Sequence, residues 1–277
     1  MRAMQITLKK LAQARTQVTV VFDDEQAKNA EEAAVKGLGK NLSIQGFRPG
    51  MAPLHLLRER LSQDRIKEET VHHLLPAAME DIQKKGVKPI VTPRVELTAQ
   101  KPLTLTITLV EKPEVQVDAK KIQAAAPKDS QEEKSADESK LLDLVAEHTK
   151  VDLAAELLDE EVRELAGSHI RKLEQAGISF EQWLSQGKKS PEDFLKELRP
   201  VAEKRLRIRL GISSLMEEWK VAVTDEEVSG AVTALLSPLG ASEQESLRTL
   251  YKPQSRAYEQ FRYQKMVEKV LSRLRAK

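Results

Sequence analysis

The side chains best suited to proton transfer or metal binding near neutral pH are the histidines His55, His72, His73, His148 and His169. None forms a His-Glu-x-x-His pattern. His72 and His73 are adjacent, so on a helix they diverge and do not readily share an ion. His169 falls on an apolar stripe with Leu158, Val162, Leu165 and Leu173, which predicts packing rather than ligation. The chain contains no cysteine, which excludes disulfides, thiolate nucleophiles and cysteine metal sites. Gly37-Leu38-Gly39 lacks the Gly-Lys-Ser/Thr continuation of a phosphate cradle. Serine, histidine and aspartate occur, but no spacing singles out a nucleophile. The expectation is no catalytic residue, no metal and no cofactor.

One segment, an ordinary turn if read without its context, carries residue types that could also serve docking. Gly46, Phe47, Arg48, Pro49, Gly50 and Met51 lie in a stretch rich in helix and strand breakers, closed by Pro53. A phenylalanine exposed on a loop can fill an apolar pocket as an anchor. An arginine beside it can pair bidentately with phosphate or carboxylate. Lys40 and Arg58 flank the loop and could add positive charge.

The elements that must hold this loop are legible from periodicity. Residues 4–8 and 16–22 alternate with period two and read as strands joined around Ala12–Arg15. Asp23 and Asp24 supply cap chemistry for a helix over 27–42. Residues 54–61 and 66–85 read as helices, with a kink expected at Pro76 and a stop at Gly86. Residues 89–97 and 103–110 alternate again, the latter as a strand with one buried face. The fold class is therefore an α+β N-terminal domain, ββ-ααα-ββ, followed by an elongated all-α domain. The expected boundaries are 1–117, a linker over 118–140 and a helical domain over 141–277. The linker mixes Lys, Asp, Glu, Ser and Ala without aromatics, a composition too polar to order itself alone, with partial helix expected at its ends at most.

From Leu141 onward the pattern reads as helix. Ser190-Pro191-Glu192-Asp193 is a helix start, with an irregularity expected at Pro200. Thr224-Asp225-Glu226-Glu227 and Ser242-Glu243-Gln244-Glu245 read as capping boxes. The charge run Lys204–Arg209 reads as a solvated face. Aromatics are 4% of residues, too few for one large core, so apolar patches are expected to stay exposed on the helices. The net charge of +2 is too small to argue nucleic-acid binding. The start lacks the apolar core of a secretory signal, and no stretch nears the roughly 20 apolar residues of a membrane helix, so a cytoplasmic location is expected.

The loop Gly46-Phe47-Arg48-Pro49-Gly50-Met51-Ala52-Pro53 resembles the trigger factor signature Gly-Phe-Arg-x-Gly-x-x-Pro. It follows a strand pair and one long helix, as in that family. The similarity runs from Met4 to about Val117, closing on Lys112-Pro113-Glu114-Val115, and resumes near Leu141. Leu157-Leu158-Asp159-Glu160-Glu161-Val162 resembles the first helix of the family's chaperone domain. Glu203-Lys204-Arg205-Leu206 and Val223-Thr224-Asp225-Glu226-Glu227-Val228 resemble its central helices.

The resemblance implies an ATP-independent chaperone. It would dock beside the ribosomal exit tunnel through residues 46–51 and hold nascent or unfolded polypeptide. The family normally carries an FKBP-type prolyl isomerase domain between the two regions; residues 118–140 have no room for it, so no isomerase activity is expected. Family loops commonly carry further basic residues where this chain has Pro49 and Met51. A ribosome-independent holdase or assembly factor using this loop elsewhere therefore stays open, as does a homodimer.

Overall fold

The computed structural model describes residues 4–127, 134–238 and 240–276. The chain divides into two units. One runs up to Pro113 and includes Leu153–Leu157; the other comprises Glu114–Asp152 and the chain from Leu158 on.

The first unit begins with β1 (Gln5–Lys10) and β2 (Arg15–Val21). Next come helices α1 (Asp24–Gly39), α2 (Leu54–Arg60) and α3 (Gln63–Lys84), then β3 (Arg94–Gln100) and β4 (Leu103–Val110). The strands pair antiparallel in the order β1-β2-β4-β3. Alternation sends Val18 and Val20 of β2 and Leu105, Ile107 and Leu109 of β4 to one face, where all are fully buried. Leu74, Ala78 and Ile82 of α3 and Ala30 of α1 cover that face. Burying a side chain of this size contributes about 1.5–3 kcal/mol, so the five central strand residues are a large part of the unit's stability. Asp23 caps α1 in a reciprocal box with Gln26. α3 runs through Pro76 as one continuous helix.

The second unit departs from the all-α expectation. Its first element is β5 (Val115–Val117), which pairs antiparallel with β6 (Thr149–Val151). Three-residue strands give too few alternations to read from sequence. Between them lie α4 (Ala119–Ala125) and α5 (Lys134–Glu147). The segment expected as a linker thus supplies α4, and its Ile122 is fully buried. Ile122 joins Leu141, Val145, Leu215, Val270 and Leu274 in one core. A mostly polar composition hid this, because one well-placed isoleucine docks a short helix onto apolar surface supplied by distant segments.

The rest is α6 (Ala155–Gln175), α7 (Phe180–Gly187), α8 (Pro191–Glu218), α9 (Asp225–Leu236), α10 (Ala241–Leu250) and α11 (Arg256–Arg275). Ser190 caps α8 with Pro191 in its first turn, and the helix continues through Pro200 without a break. Thr224 and Glu227 form the capping box of α9. α10 instead starts at Ala241 with Gly240 at the cap, so Ser242 sits inside the helix rather than capping it.

Candidate docking loop and helical surfaces

The loop between α1 and α2 is built from two consecutive turns. The Phe47 amide donates to the Ile44 carbonyl at 3.0 Å, and Gly46 has φ +88. The Met51 amide donates to the Arg48 carbonyl at 2.9 Å, and Gly50 has φ +78. The second turn places proline at its second position and positive-φ glycine at its third, the type II pattern. Gly50 has a further constraint: a Cβ there would lie 2.8 Å from the Lys40 carbonyl oxygen. The feet are fixed by packing. Ala52 and Leu57 are buried with Val35 and Ile66, and Ile44 and Leu54 pack against them.

This arrangement pushes the middle of the loop outward. Phe47 is 42% exposed and Met51 72% exposed, although both are large and apolar. Arg48 and Pro49 are exposed and Gly50 half-buried. Gly46, Phe47, Arg48, Pro49, Gly50 and Met51 thus sit on one short hydrogen-bonded loop. Of the flanking cations, Arg58 is committed to Glu31 at 2.9 Å, while Lys40 is exposed.

The second unit carries a different kind of surface. On α8, Phe194, Val201, Ile208 and Leu215 recur every seven residues and share one face. Phe194 and Leu215 are buried, yet Val201 between them is 52% exposed, and Leu195 is 41% exposed. Long ionic side chains link α8 to α6 along this stretch. Arg199 reaches Asp159 at 2.9 Å. Arg205 and Arg209 reach the two oxygens of Glu161 at 3.0 and 2.9 Å. The Glu161 side chain is only 1% exposed, whereas its arginines remain about half exposed.

The run Lys204–Arg209 is the solvated face expected at Lys204, Arg205 and Arg209, which stay exposed while also pairing with acids. Lys204 pairs with Asp143 at 2.7 Å, and Arg207 with Glu203 and the Thr149 carbonyl. Sequence offered no signal for Glu161, because its neighbours Asp159 and Glu160 look the same by composition. At the far end of α6, His169 packs against Trp183 and Phe194 with ring centroids 4.8 and 5.3 Å apart. Among the described residues no group of three or more side chains is placed to hold a metal ion. No described helix is long and apolar enough to cross a membrane.

Comparison with known proteins gives this geometry a context. A family model described as bacterial trigger factor protein matches residues 4–142, and one described as its C-terminus matches residues 116–272. The two matches overlap, with no other domain between them. The trigger factor of Thermomicrobium roseum is 28% identical over 116 residues, covering 42% of this chain and 24% of its own length. That of Nocardia farcinica is 36% identical over 97 residues, covering 35% of this chain and 21% of its own length. The matched stretch thus spans about a quarter or less of these curated relatives. A solved structure described as "Promiscuous Substrate Recognition in Folding and Assembly Activities of the Trigger Factor Chaperone" shares the fold. It has a TM-score of 0.62 at 17% identity, covering 98% of this chain and 99% of that one. With both family models matching in order across residues 4–272, the chain belongs to the bacterial trigger factor family.

Proposed function

We propose that this protein is an ATP-independent cytoplasmic chaperone that docks near the ribosomal exit tunnel through residues 46–51. Its helical unit then holds nascent or unfolded polypeptide. The observation that carries the reading is the exposure of Phe47 beside Arg48 on a loop fixed by two turns. An apolar anchor next to a guanidinium suits a protein or RNA surface, and a pre-organised loop loses little entropy on binding.

Holding needs many weak apolar contacts, which together raise apparent affinity through effective concentration. Leu195, Val201, Leu235, Leu250 and Tyr263 are exposed apolar side chains of the second unit that can supply them. Release follows when the client buries its own apolar surface.

The reading includes no prolyl isomerase activity, since the two family matches leave no intervening domain. A proline-limited refolding assay tests this, with no acceleration above background expected. Co-sedimentation with ribosomes tests docking. The wild-type chain is expected in the pellet at low salt, and Phe47→Ala with Arg48→Ala is expected in the supernatant. Wild-type protein that stays in the supernatant at low salt would remove the docking half. The alternative, a ribosome-independent holdase, is favoured by one feature: Met51 is a 72% exposed apolar residue where family loops commonly carry positive charge. It predicts that aggregation suppression survives while co-sedimentation is absent.

A further inference from the structure

The helices α9, α10 and α11 enclose an open groove of about 480 Å³. That volume lies within the range of sites that bind small ligands and peptide side chains, about 300–1,000 Å³. Its apolar wall is formed by Val232 and Leu236 of α9 with Tyr251 and Tyr258. Tyr258 is 2% exposed, and its hydroxyl donates to Asp225 at 3.3 Å, so this part of the wall is fixed.

Its polar lining has a definite sense. Thr233 and Ser237 line one side, and each hydroxyl already donates to a helix carbonyl, at 2.8 and 2.9 Å. Their oxygens are left as acceptors facing a ligand that brings N–H groups. Arg248 lines the other side. Among the described residues it is the groove's only charged lining residue, and none of them that lines it is an aspartate or glutamate. Among the described residues no carboxylate forms an ion pair with Arg248; Glu245, three residues earlier on α10, is exposed. An occupant that satisfies this lining has apolar bulk, N–H donors and a carboxylate. A fatty anion would supply the first and last but not the donors.

We infer that this groove binds a short acidic-apolar segment of unfolded polypeptide, with its carboxylate on Arg248 and its apolar side chain against Tyr251 and Leu236. The inference rests on the proposed holding function and adds charge selectivity to one part of it. Client segments with an acid beside an apolar residue are retained here, and the lysine counterparts are not.

The test uses the full chain and two fluorescein-labelled heptapeptides of alternating Leu and Ala, identical except for a central Asp or Lys, read by anisotropy. A half-exposed, charge-assisted pair is worth about 1 kcal/mol, which is about fivefold in affinity. The Asp peptide is expected to bind about fivefold more tightly than the Lys peptide, and Arg248→Gln should erase the ratio. Thr233→Trp, which fills the groove from an exposed helix position, should weaken the Asp peptide while leaving the melting temperature unchanged. Equal binding of the two peptides by wild type, or a ratio that survives Arg248→Gln, would overturn the inference. Aggregation suppression of a denatured client by wild type and Arg248→Gln is measured alongside. If wild type suppresses but shows no peptide selectivity, the groove is wrong and holding stands. If wild type does not suppress, holding itself fails, whatever the peptides do.

Discussion

The two units use the same residue types in opposite ways. In the first, strand alternation delivers Val18, Val20, Leu105, Ile107 and Leu109 into one core, and each is fully buried. In the second, the heptad stripe of α8 is covered at Phe194 and Leu215 but left open at Val201. There long ionic pairs link α8 to α6 in addition to apolar contacts such as those of Phe194 with Ala166. Apolar packing covers the surface it uses, so a core stabilised that way offers nothing to a client. Ion pairs between long side chains can hold two helices while apolar positions beside them stay accessible. A holding surface needs the second arrangement, and a platform for a docking loop needs the first.

The sharpest way to break the contrast is a packing defect in each unit. Ile107→Ala is expected to cost about 2–5 kcal/mol and to lower the first unit's thermal transition, followed by circular dichroism. Gly211→Ala perturbs the second unit by overpacking instead. A Cβ there would fall within the radius of Thr149 Oγ1 and 3.2 Å from Val145 Cγ1, so a loss of about 1–3 kcal/mol is expected. A smaller effect in the first unit than in the second would invert the comparison.

Glu161→Ala comes next. Removing a buried acid from a paired site can cost about 3–5 kcal/mol, but Arg205 and Arg209 are half exposed and can rehydrate. About 1–3 kcal/mol is expected. Added salt should lower the second unit's transition in wild type and do less in this variant, because screening acts on exposed charges.

The pH response should be smaller again and drawn mostly from helix starts, with Glu111 after β4 the exception. The Lys269 hydrogen bond holds Glu227 below the usual carboxylate range, and the Ser190 hydroxyl does the same for Asp193. A depressed carboxylate stabilises fully above its unfolded pKa, about 4, and that contribution is lost as pH falls through the lower folded value. Helicity should therefore begin to fall below about pH 4, and Glu227→Gln should lose part of this dependence at neutral-pH expense. The smallest expected effect is that of Phe47→Ala on stability, below about 0.5 kcal/mol, because the side chain is exposed.

What could be read from sequence follows from how local the physics is. β4 was legible because Leu103–Leu109 alternates without interruption, and α9 because Thr224 and Glu227 close a box three residues apart. The turn at Arg48–Met51 follows from the adjacent pair Pro49-Gly50. The burial of Ile122 and Glu161 depends on partners in α8 and α11, far along the chain, and no local pattern reports them. The same reason hid β5 and β6, each only three residues long. The groove on α9–α11 also escaped notice, since Arg248 gains its significance only from what lines the opposite wall.

The most direct test of the holding surface is the aggregation of a chemically denatured client diluted into buffer with the full chain. Leu195→Glu with Val201→Glu alters two exposed helix positions and should leave the melting temperature within about 0.5 kcal/mol of wild type. Wild type is expected to suppress light scattering in proportion to its concentration, and the double variant to need several-fold more protein for the same effect. Equal suppression by both would contradict the claim that bare apolar positions on α8 do the holding.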